Sequence, residues 1–201
     1  MSRWLKILLV PGVLVIAWTA FVVHSRLAFP PDNTPEGAYA RIVLAVTKGR
    51  PRDCFAYLET QAQWASYSIR DYRSKAAARV AESYPATERT ALLAAYEHEA
   101  KAPDGADVWV WLSQTRGFVA RLRKDLSGVR KVEVAGERAT VETARGTRYA
   151  FRKRENGIWG LTMFTAELMA EAEKAARDWD VVRRAADDYA RANVGSGARS
   201  P

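Results

Sequence analysis

The chain has 201 residues, and once an N-terminal apolar segment is set aside, about 170 remain, enough for one domain with a hydrophobic core. Its one cysteine, Cys54, excludes an intramolecular disulfide, a zinc knuckle and a redox pair, and its two histidines exclude a His-rich metal site. The 31 Lys and Arg residues outnumber the 23 Asp and Glu residues, which gives a formal net charge of +8.

The N-terminal segment, residues 1–26, has the pattern of a membrane anchor. Residues 7–23 are 17 uncharged and mostly apolar residues, just enough to cross a bilayer as a helix. Arg3 and Lys6 precede this run, so the positive-inside tendency predicts an extracytoplasmic domain, periplasmic or extracellular. We therefore predict a single-pass signal-anchor. The alternatives are a cleaved secretory signal, which would release the domain, and a buried helix, but the small-x-small cleavage pattern is poor.

A short linker and one domain follow the anchor. The linker, residues 27–33, contains Pro30 and Pro31, which disfavour a helix and keep the domain close to the membrane. The domain is predicted at residues 34–193. Residues 194–201 are predicted to be a disordered tail because they are small and polar.

The first half of the domain is predicted to be helical. Thr34 is a suitable N-cap with Pro35 at the first helical position, and the helix that they begin ends near Gly49. Four further helices follow from the same periodicity and from the breakers between them. They are a short helix from Pro51 that buries Cys54, Phe55 and Leu58, a long helix that runs to Pro85, a helix from near Thr87, and, after a loop at residues 102–107, a helix from Val108 to Leu126.

Beyond Gly128 the apolar period changes from 3.6 to 2, which indicates a sheet. Four alternating runs predict four strands, the last of them running through Met163. Turns at Gly136, at Gly146 and at Gly157 join the strands. Such short turns predict an antiparallel meander with one face covered by helices and the other partly polar. The predicted fold class is α+β: an N-terminal transmembrane helix, several helices packed on the four-stranded meander, and a long C-terminal helix.

Two stretches of the chain carry a family resemblance. Residues 34–59, TPEGAYARIVLAVTKGRPRDCFAYLE, predict a helix pair joined by a Gly-bearing turn. Residues 131–161, KVEVAGERATVETARGTRYAFRKRENGIWGL, predict a late meander that ends in a Gly-x-Trp strand. This order resembles the nuclear transport factor 2-like superfamily. The resemblance implies a cone-shaped α+β domain that works either as an enzyme, as in ketosteroid isomerase and polyketide cyclases, or only by binding or assembly.

The positions that would carry catalysis under this resemblance lack the required chemistry. Counted from the turn glycine Gly49, the family's catalytic tyrosine and base aspartate correspond to Ile42 and Ser66. A general acid or base needs a titratable group, and neither residue has one. Tyr39 and Asp71, which lie nearby in sequence, are the candidate substitutes for the catalytic tyrosine and the base aspartate. Their alternative roles are an interface tyrosine and a solvated helix aspartate.

No other catalytic or cofactor-binding pattern stands out. Glu97, His98 and Glu99 are consecutive, so their side chains diverge around a helix and do not converge on one metal ion. Cys54 is predicted to be a small core residue, since no activating base is near it in sequence. There is no Gly-rich phosphate loop and no dinucleotide fingerprint. The sequence therefore predicts no catalytic residue, no cofactor and no metal.

Basic residues are concentrated in one part of the domain. Residues 115–154 hold 12 basic and four acidic residues, whereas residues 166–193 hold five basic and seven acidic residues. A contiguous basic surface would contact anionic lipid headgroups near the anchor; the alternative is a solvated face on which Glu133 and Glu142 pair with arginines. Nucleic-acid binding is disfavoured because no aromatic row alternates with the basic residues. The candidate contact residues are Arg121, Arg123, Lys124, Arg130, Lys131, Arg148, Arg152 and Arg154.

The C-terminal helix carries a heptad stripe of apolar and small residues, which predicts a helix–helix seam. The seam would serve a protein partner or a homodimer. The alternative is that the stripe docks on its own domain, against the sheet or the long helix. The candidate seam residues are Leu168, Ala172, Ala175, Trp179, Val182, Ala186 and Tyr189.

Together these features predict a membrane-anchored, non-catalytic binding or scaffold domain on the extracytoplasmic side, in contact with a protein or envelope partner. The alternative is a small-molecule pocket or an isomerase- or cyclase-like enzyme within the cone. The two differ in their interior: a pocket requires an apolar cavity with at least two converging titratable groups, whereas a binding domain has a filled core.

Overall fold

The computed structural model describes residues 29–197, and this part of the chain has the predicted α+β architecture. It contains seven α-helices and a four-stranded antiparallel sheet. The predicted anchor, residues 1–26, lies outside the described residues; within them, no helix is long and apolar enough to cross a membrane. The elements are α1 (Pro35–Thr47), α2 (Pro51–Cys54), α3 (Thr60–Ser83), α4 (Ala86–Ala100), α5 (Gly105–Thr115), α6 (Phe118–Asp125), β1 (Val129–Ala135), β2 (Arg138–Thr143), β3 (Arg148–Lys153), β4 (Trp159–Leu161) and α7 (Thr165–Gly197).

The first two helices form as predicted. The Thr34 hydroxyl oxygen accepts a hydrogen bond from the backbone N–H of Gly37 at 3.1 Å, which caps α1. Gly49, with φ of +66°, turns the chain after α1, a conformation that favours glycine. α2 and the 3₁₀ turn that follows it then bury Cys54 and Leu58 in the core.

The start of α5 differs from the prediction. Residues 102–107 were expected to form a loop, but α5 already begins at Gly105. Asp104 is the N-cap, since its carboxylate accepts a hydrogen bond from the backbone N–H of Asp107 at 3.1 Å. The breakers in this stretch therefore mark a helix cap, and the loop is shorter than expected.

The single helix predicted from Val108 to Leu126 is wrong. The chain bends at Gly117, whose φ of +70° cannot continue a right-handed helix, and this bend separates α5 from α6. Leu112 on α5 and Leu122 on α6 nevertheless enter the same core. The apolar stripe continues across the break for that reason, so periodicity alone did not reveal it.

The sheet is the predicted meander, with strand order β1-β2-β3-β4 and glycines of positive φ in all three turns. Val141 of β2 pairs with Val132 of β1 and with Tyr149 of β3, and these side chains lie on the face that the helices cover. We call this the inner face and the opposite, more polar side the outer face. β4 ends at Leu161, so Met163 lies beyond the strand that was predicted to include it.

The long helix α7 runs parallel to α3 and beside it. The Thr165 hydroxyl at the start of α7 donates to the Glu59 carboxylate immediately before α3 at 2.7 Å. Further along, Arg79 of α3 pairs with Asp187 of α7 at 2.6 Å. α7 extends to Gly197, beyond the predicted domain end at residue 193.

Two apolar cores stabilise the described part of the chain. The sheet core lies between the inner face and the helices and includes Trp109, Phe118 and Phe164, whose rings pack on one another. The helical core lies further along α3 and α7, where α4 covers them, and includes Val80 and Val182. α3 and α7 therefore extend from one core to the other.

The two edges of the sheet are protected differently. At β4, the backbone N–H of Glu59 donates to the Leu161 carbonyl at 3.1 Å, so the chain after the 3₁₀ turn covers that edge. At β1, the edge strand carries Arg130, Lys131 and Glu133. Charged side chains on an edge strand oppose pairing with another chain.

Candidate binding cleft

A cleft of about 500 Å³ lies on the outer face, where β2 and β3 meet the first turns of α3 and α7. Its floor is made of the small side chains of Thr140 and Ala150, which are directly paired across the two strands. Long side chains rise at its edges, among them Met169 on α7. The cleft exists because the residues of its floor are short and those at its edges are long.

The buried carboxylate of Glu59 holds one wall of this cleft together. The side chain is only 6% exposed, and each carboxylate oxygen has a partner. Oε1 lies 2.9 Å from a guanidinium nitrogen of Arg152, and Oε2 accepts the hydrogen bond from Thr165 at 2.7 Å. Because a buried charge is costly unless it is paired, these contacts fix the strand and both helices relative to one another.

Gly160 of β4 allows this close approach. A Cβ atom at this position would lie 2.6 Å from Cα of Glu59, closer than real Cβ atoms come to backbone atoms. The backbone before α3 therefore rests directly on β4. Gly160 and Glu59 are about 100 residues apart in sequence, so only the tertiary fold brings them into contact.

The cleft carries an excess of positive charge. Arg138 and Arg152 are directly paired across β2 and β3, and two like charges in this arrangement repel each other. Glu59 neutralises Arg152, whereas Arg138 forms no ion pair with any residue that the structure describes. The N-terminus of α7, at Thr165, adds the partial positive charge of its helix dipole. Guanidinium groups in a concave site suit a carboxylate or phosphate group.

Most of the basic residues predicted to form a contact surface are paired with carboxylates of this chain. Arg148 lies 3.0 Å and Lys131 2.6 Å from the Glu133 carboxylate. Arg130 pairs with Glu142. The pairing of these two glutamates with basic residues was the predicted alternative, and the outer face of β1, β2 and β3 is consequently close to neutral outside the cleft.

The remaining basic candidates lie in different surroundings. Arg121 pairs with Glu167 of α7 at 2.7 Å. Arg154 lies past the end of β3 and donates to the Ala56 carbonyl at 2.8 Å, and burial lowers the pKa of its guanidinium. Arg123 and Lys124 are exposed at the end of α6 and form no ion pair within the described part of the chain. The structure thus does not gather the eight candidates into one free basic surface.

The predicted seam residues pack within the same chain, partly in the sheet core and partly in the helical core against α3 and α4. Leu168, Ala175 and Val182 are buried, and the hydroxyl of Tyr189 donates to the Glu88 carboxylate at 2.8 Å. Ala172, Trp179 and Ala186 complete the same packing. In the described chain the stripe is therefore an intramolecular contact.

The residues considered for catalysis serve structural contacts. The Tyr39 hydroxyl donates to the Ser127 carbonyl at 2.8 Å and accepts from the Ser127 N–H at 3.2 Å, and burial raises its pKa. Asp71 is exposed and pairs with its neighbour Arg70. Ile42 is in the core, and the Ser66 hydroxyl donates to a carbonyl of its own helix. Each candidate thus has a structural partner or a core position.

Cys54 and His98 also have structural surroundings. Burial, together with the neighbouring Asp53, raises the pKa of the Cys54 thiol to about 12, so it is not a thiolate at neutral pH. The exposed ring of His98 stacks on Trp111 with 3.7 Å between ring centres. No cluster of three His, Cys, Asp or Glu side chains suitable for a metal ion occurs within residues 29–197.

Sequence reasoning missed three residues of the cleft: Glu59, Arg138 and Thr165. Arg138 could have been recognised, since it alternates onto the same strand face as Thr140. Glu59 and Thr165 are 106 positions apart, and no local pattern connects them.

Comparison of the chain with known protein families, with curated proteins and with solved structures found no match.

Proposed function

We propose that this protein is a membrane-anchored, non-catalytic binding domain that faces the extracytoplasmic side and holds an anionic group of a protein or envelope partner in the cleft. The observation that carries the proposal is the excess positive charge of the cleft at Arg138. Within the described residues, Glu59 pairs with Arg152 but no carboxylate pairs with Arg138. A partner carboxylate or phosphate at Arg138 would relieve its repulsion with Arg152.

The anchor part of the proposal rests on the sequence. Residues 7–23 are apolar and uncharged, and basic residues precede them, as in a signal-anchor. Pro30 and Pro31 then keep the domain near its point of attachment. A domain tethered in this way meets its partner at a membrane surface.

A binding role is favoured over the alternative of an enclosed small-molecule pocket or cyclase-like enzyme. Aromatic rings, among them those of Trp109, Phe118 and Phe164, fill the sheet core. The cleft on the outer face is open at the surface, and the tyrosine and aspartate weighed for catalysis are engaged elsewhere. The likeness to the nuclear transport factor 2-like superfamily remains part of the proposal, supported by the α1–α2 pair and the late antiparallel meander.

Site-specific photocrosslinking of the full chain in its native membrane tests this function. A photoreactive amino acid replaces Thr140 on the cleft floor and, as a control, Thr87, an exposed residue on α4. We expect an adduct with a partner from position 140 and not from position 87. Arg138→Glu should weaken this adduct about tenfold, equivalent to about 1.4 kcal/mol of binding free energy.

A matched charge reversal separates a specific contact from a general effect of net charge. Arg177→Glu changes another exposed arginine, on α7, by the same two charges, and it should leave the adduct unchanged. If both variants weaken the adduct equally, the cleft is not the contact. If position 140 crosslinks only to a second copy of this chain, the homodimeric scaffold replaces the proposal.

A further inference from the structure

A second concave surface, apolar in character, lies on the opposite side of the domain from the cleft. It is a groove of about 520 Å³ between α1 and the start of β1. Val43 and Leu44 of α1 form one wall, Leu126 and Val129 form the other, and Phe29 lies at its end. We call this surface the apolar groove.

The apolar groove is exposed where buried residues would be expected. Phe29 is 45% exposed and Val129 is 41% exposed. Val134, further along β1 on the same inner face but not lining the groove, is 57% exposed. Exposed apolar surface that includes a concave groove is typical of a contact with a protein or a membrane.

The path of the chain decides between these occupants. Phe29 is the first residue described, and only residues 24–28 separate it from the apolar run at residues 7–23. The six Cα–Cα steps from residue 23 to Phe29 span at most about 22 Å, since an extended chain covers ~3.3–3.6 Å per residue. If the run crosses a bilayer, the Phe29 end of the apolar groove is held within that distance of the point where the chain leaves it.

Charges near the groove agree with a membrane contact. Lys48 follows the α1 wall, and Arg123 and Lys124 precede the acidic Asp125 and Leu126; the three basic residues are exposed and form no ion pair within the described residues. The Arg41 guanidinium lies 4.6 Å from the centre of the Phe29 ring and holds that ring at the groove. Cations around an apolar surface favour the headgroups of anionic lipids.

We infer that the apolar groove lies against the bilayer, with Phe29, Leu44 and Val129 in the interfacial region and Lys48 and Lys124 at the headgroups. This inference rests on the proposed membrane anchor. It also deepens the proposed function, because Val129 belongs to the inner face and the cleft lies on the outer face. With the groove on the membrane, the cleft is turned away from the bilayer and stays open to a partner.

The inference is tested on the full chain reconstituted into vesicles of phosphatidylcholine and phosphatidylglycerol. Val129→Cys and, as the opposite-face control, Thr140→Cys each receive a single environment-sensitive fluorophore; Cys54 is fully buried and does not compete for the label. Lipids with a spin label on the acyl chain should quench the label at position 129 about threefold more than the label at position 140, since interfacial residues lie ~5–10 Å into the headgroup and acyl boundary.

Charge variants add a second measurement on a domain that stays folded. Lys48→Glu with Lys124→Glu changes only exposed side chains and should reduce the quenching at position 129 by about half or more, because exposed cations are attracted to anionic headgroups. Lys75→Glu on α3 with Lys174→Glu on α7, both exposed, is the matched control with the same change of four charges, and it should have no effect.

The outcomes distinguish this inference from the proposed anchor. If the protein floats with the vesicles but both labels are quenched equally, the groove does not face the bilayer and the anchor still stands. If the label at position 129 is shielded from water but not quenched by lipid, a protein segment or a second copy occupies the groove, which overturns the inference. If the full chain does not float with the vesicles, the anchor and the inference fall together.

Discussion

Single buried polar groups decide much of the stability of this domain, and Arg73 is the strongest case. Its guanidinium lies between Glu99 at 2.9 Å and Asp178 at 2.6 Å, and it also stacks on Tyr96. The arginine therefore ties α3 to α4 and α7 through one buried group. A buried charge network of this kind is costly to form and far more costly to leave incomplete.

We expect Arg73→Met to destabilise the protein by about 3 kcal/mol, because the largely buried Glu99 and the partly exposed Asp178 would lose their shared cation. The check is urea unfolding of the full chain in mild detergent, followed by far-ultraviolet circular dichroism. Arg79→Met is the matched control, since Arg79 links α3 to Asp187 of α7 in a more exposed position and should cost only about 0–1 kcal/mol. Equal losses in both variants would contradict a special role of Arg73.

Tyr149 gives a prediction of pH dependence. Its hydroxyl is buried without a hydrogen-bond partner among the described residues, and burial, with smaller contributions from Tyr39 and Asp125, raises its pKa to about 12. In the unfolded chain a tyrosine ionises near pH 10. Tyr149 therefore leaves the free energy of unfolding unchanged below about pH 10 and lowers it as the pH rises from about 10 towards 12.

Tyr149→Phe should accordingly be more stable than the unmodified protein by about 1 kcal/mol at pH 8, because the unpaired hydroxyl is removed. At pH 11 the difference should grow by about a further 1.4 kcal/mol, since only the unmodified chain gains an ionised Tyr149 on unfolding. Urea midpoints at the two pH values measure both differences. A difference that stays the same between pH 8 and pH 11 would show that the hydroxyl is solvated in the folded state.

At the scale of elements, the contact between β4 and the start of α3 fixes the geometry of the cleft. We expect Gly160→Ala to cost about 1–3 kcal/mol, because the new Cβ would meet backbone atoms of Glu59 that cannot move without shifting α3. Gly128→Ala is the matched control: its Cβ would meet open space. Thermal unfolding of the two variants provides the measurement, and similar midpoints for both would refute this close approach.

The elements that local chemistry specifies are those that the sequence predicted. Thr34 and Pro35 begin α1, and glycines of positive φ make the turns of the meander, so each of these elements depends on residues within one short window. The helix break at Gly117 was not predicted, because both flanking helices bury their apolar side in one core and the apolar period continues across the break. Of the cleft, the sequence predicted little beyond Arg152 as a contact residue. The Glu59–Thr165 hydrogen bond joins distant segments that only the tertiary fold brings together.

At the scale of the whole described domain, α7 holds the two cores together. Leu168 enters the sheet core, whereas Val182 and Ala186 enter the helical core. Glu59 fixes the start of α7, and Asp178 and Asp187 tie it to α3 further along. A helix buried at both ends of a domain cannot also present its apolar stripe to a partner without unfolding part of that domain.

Deletion of α7 therefore distinguishes a structural helix from a free interaction helix. We expect the chain that ends at residue 167 to aggregate and to lose its cooperative unfolding transition, because both cores become exposed and single buried Leu or Ile truncations alone cost about 2–5 kcal/mol. The chain that ends at residue 193 is the control and should unfold at the same temperature as the full chain. Size-exclusion chromatography in detergent and circular dichroism follow both proteins. A folded monomer that lacks α7 would show instead that the heptad stripe is available to another chain, and the homodimeric scaffold would then be the better account of this protein.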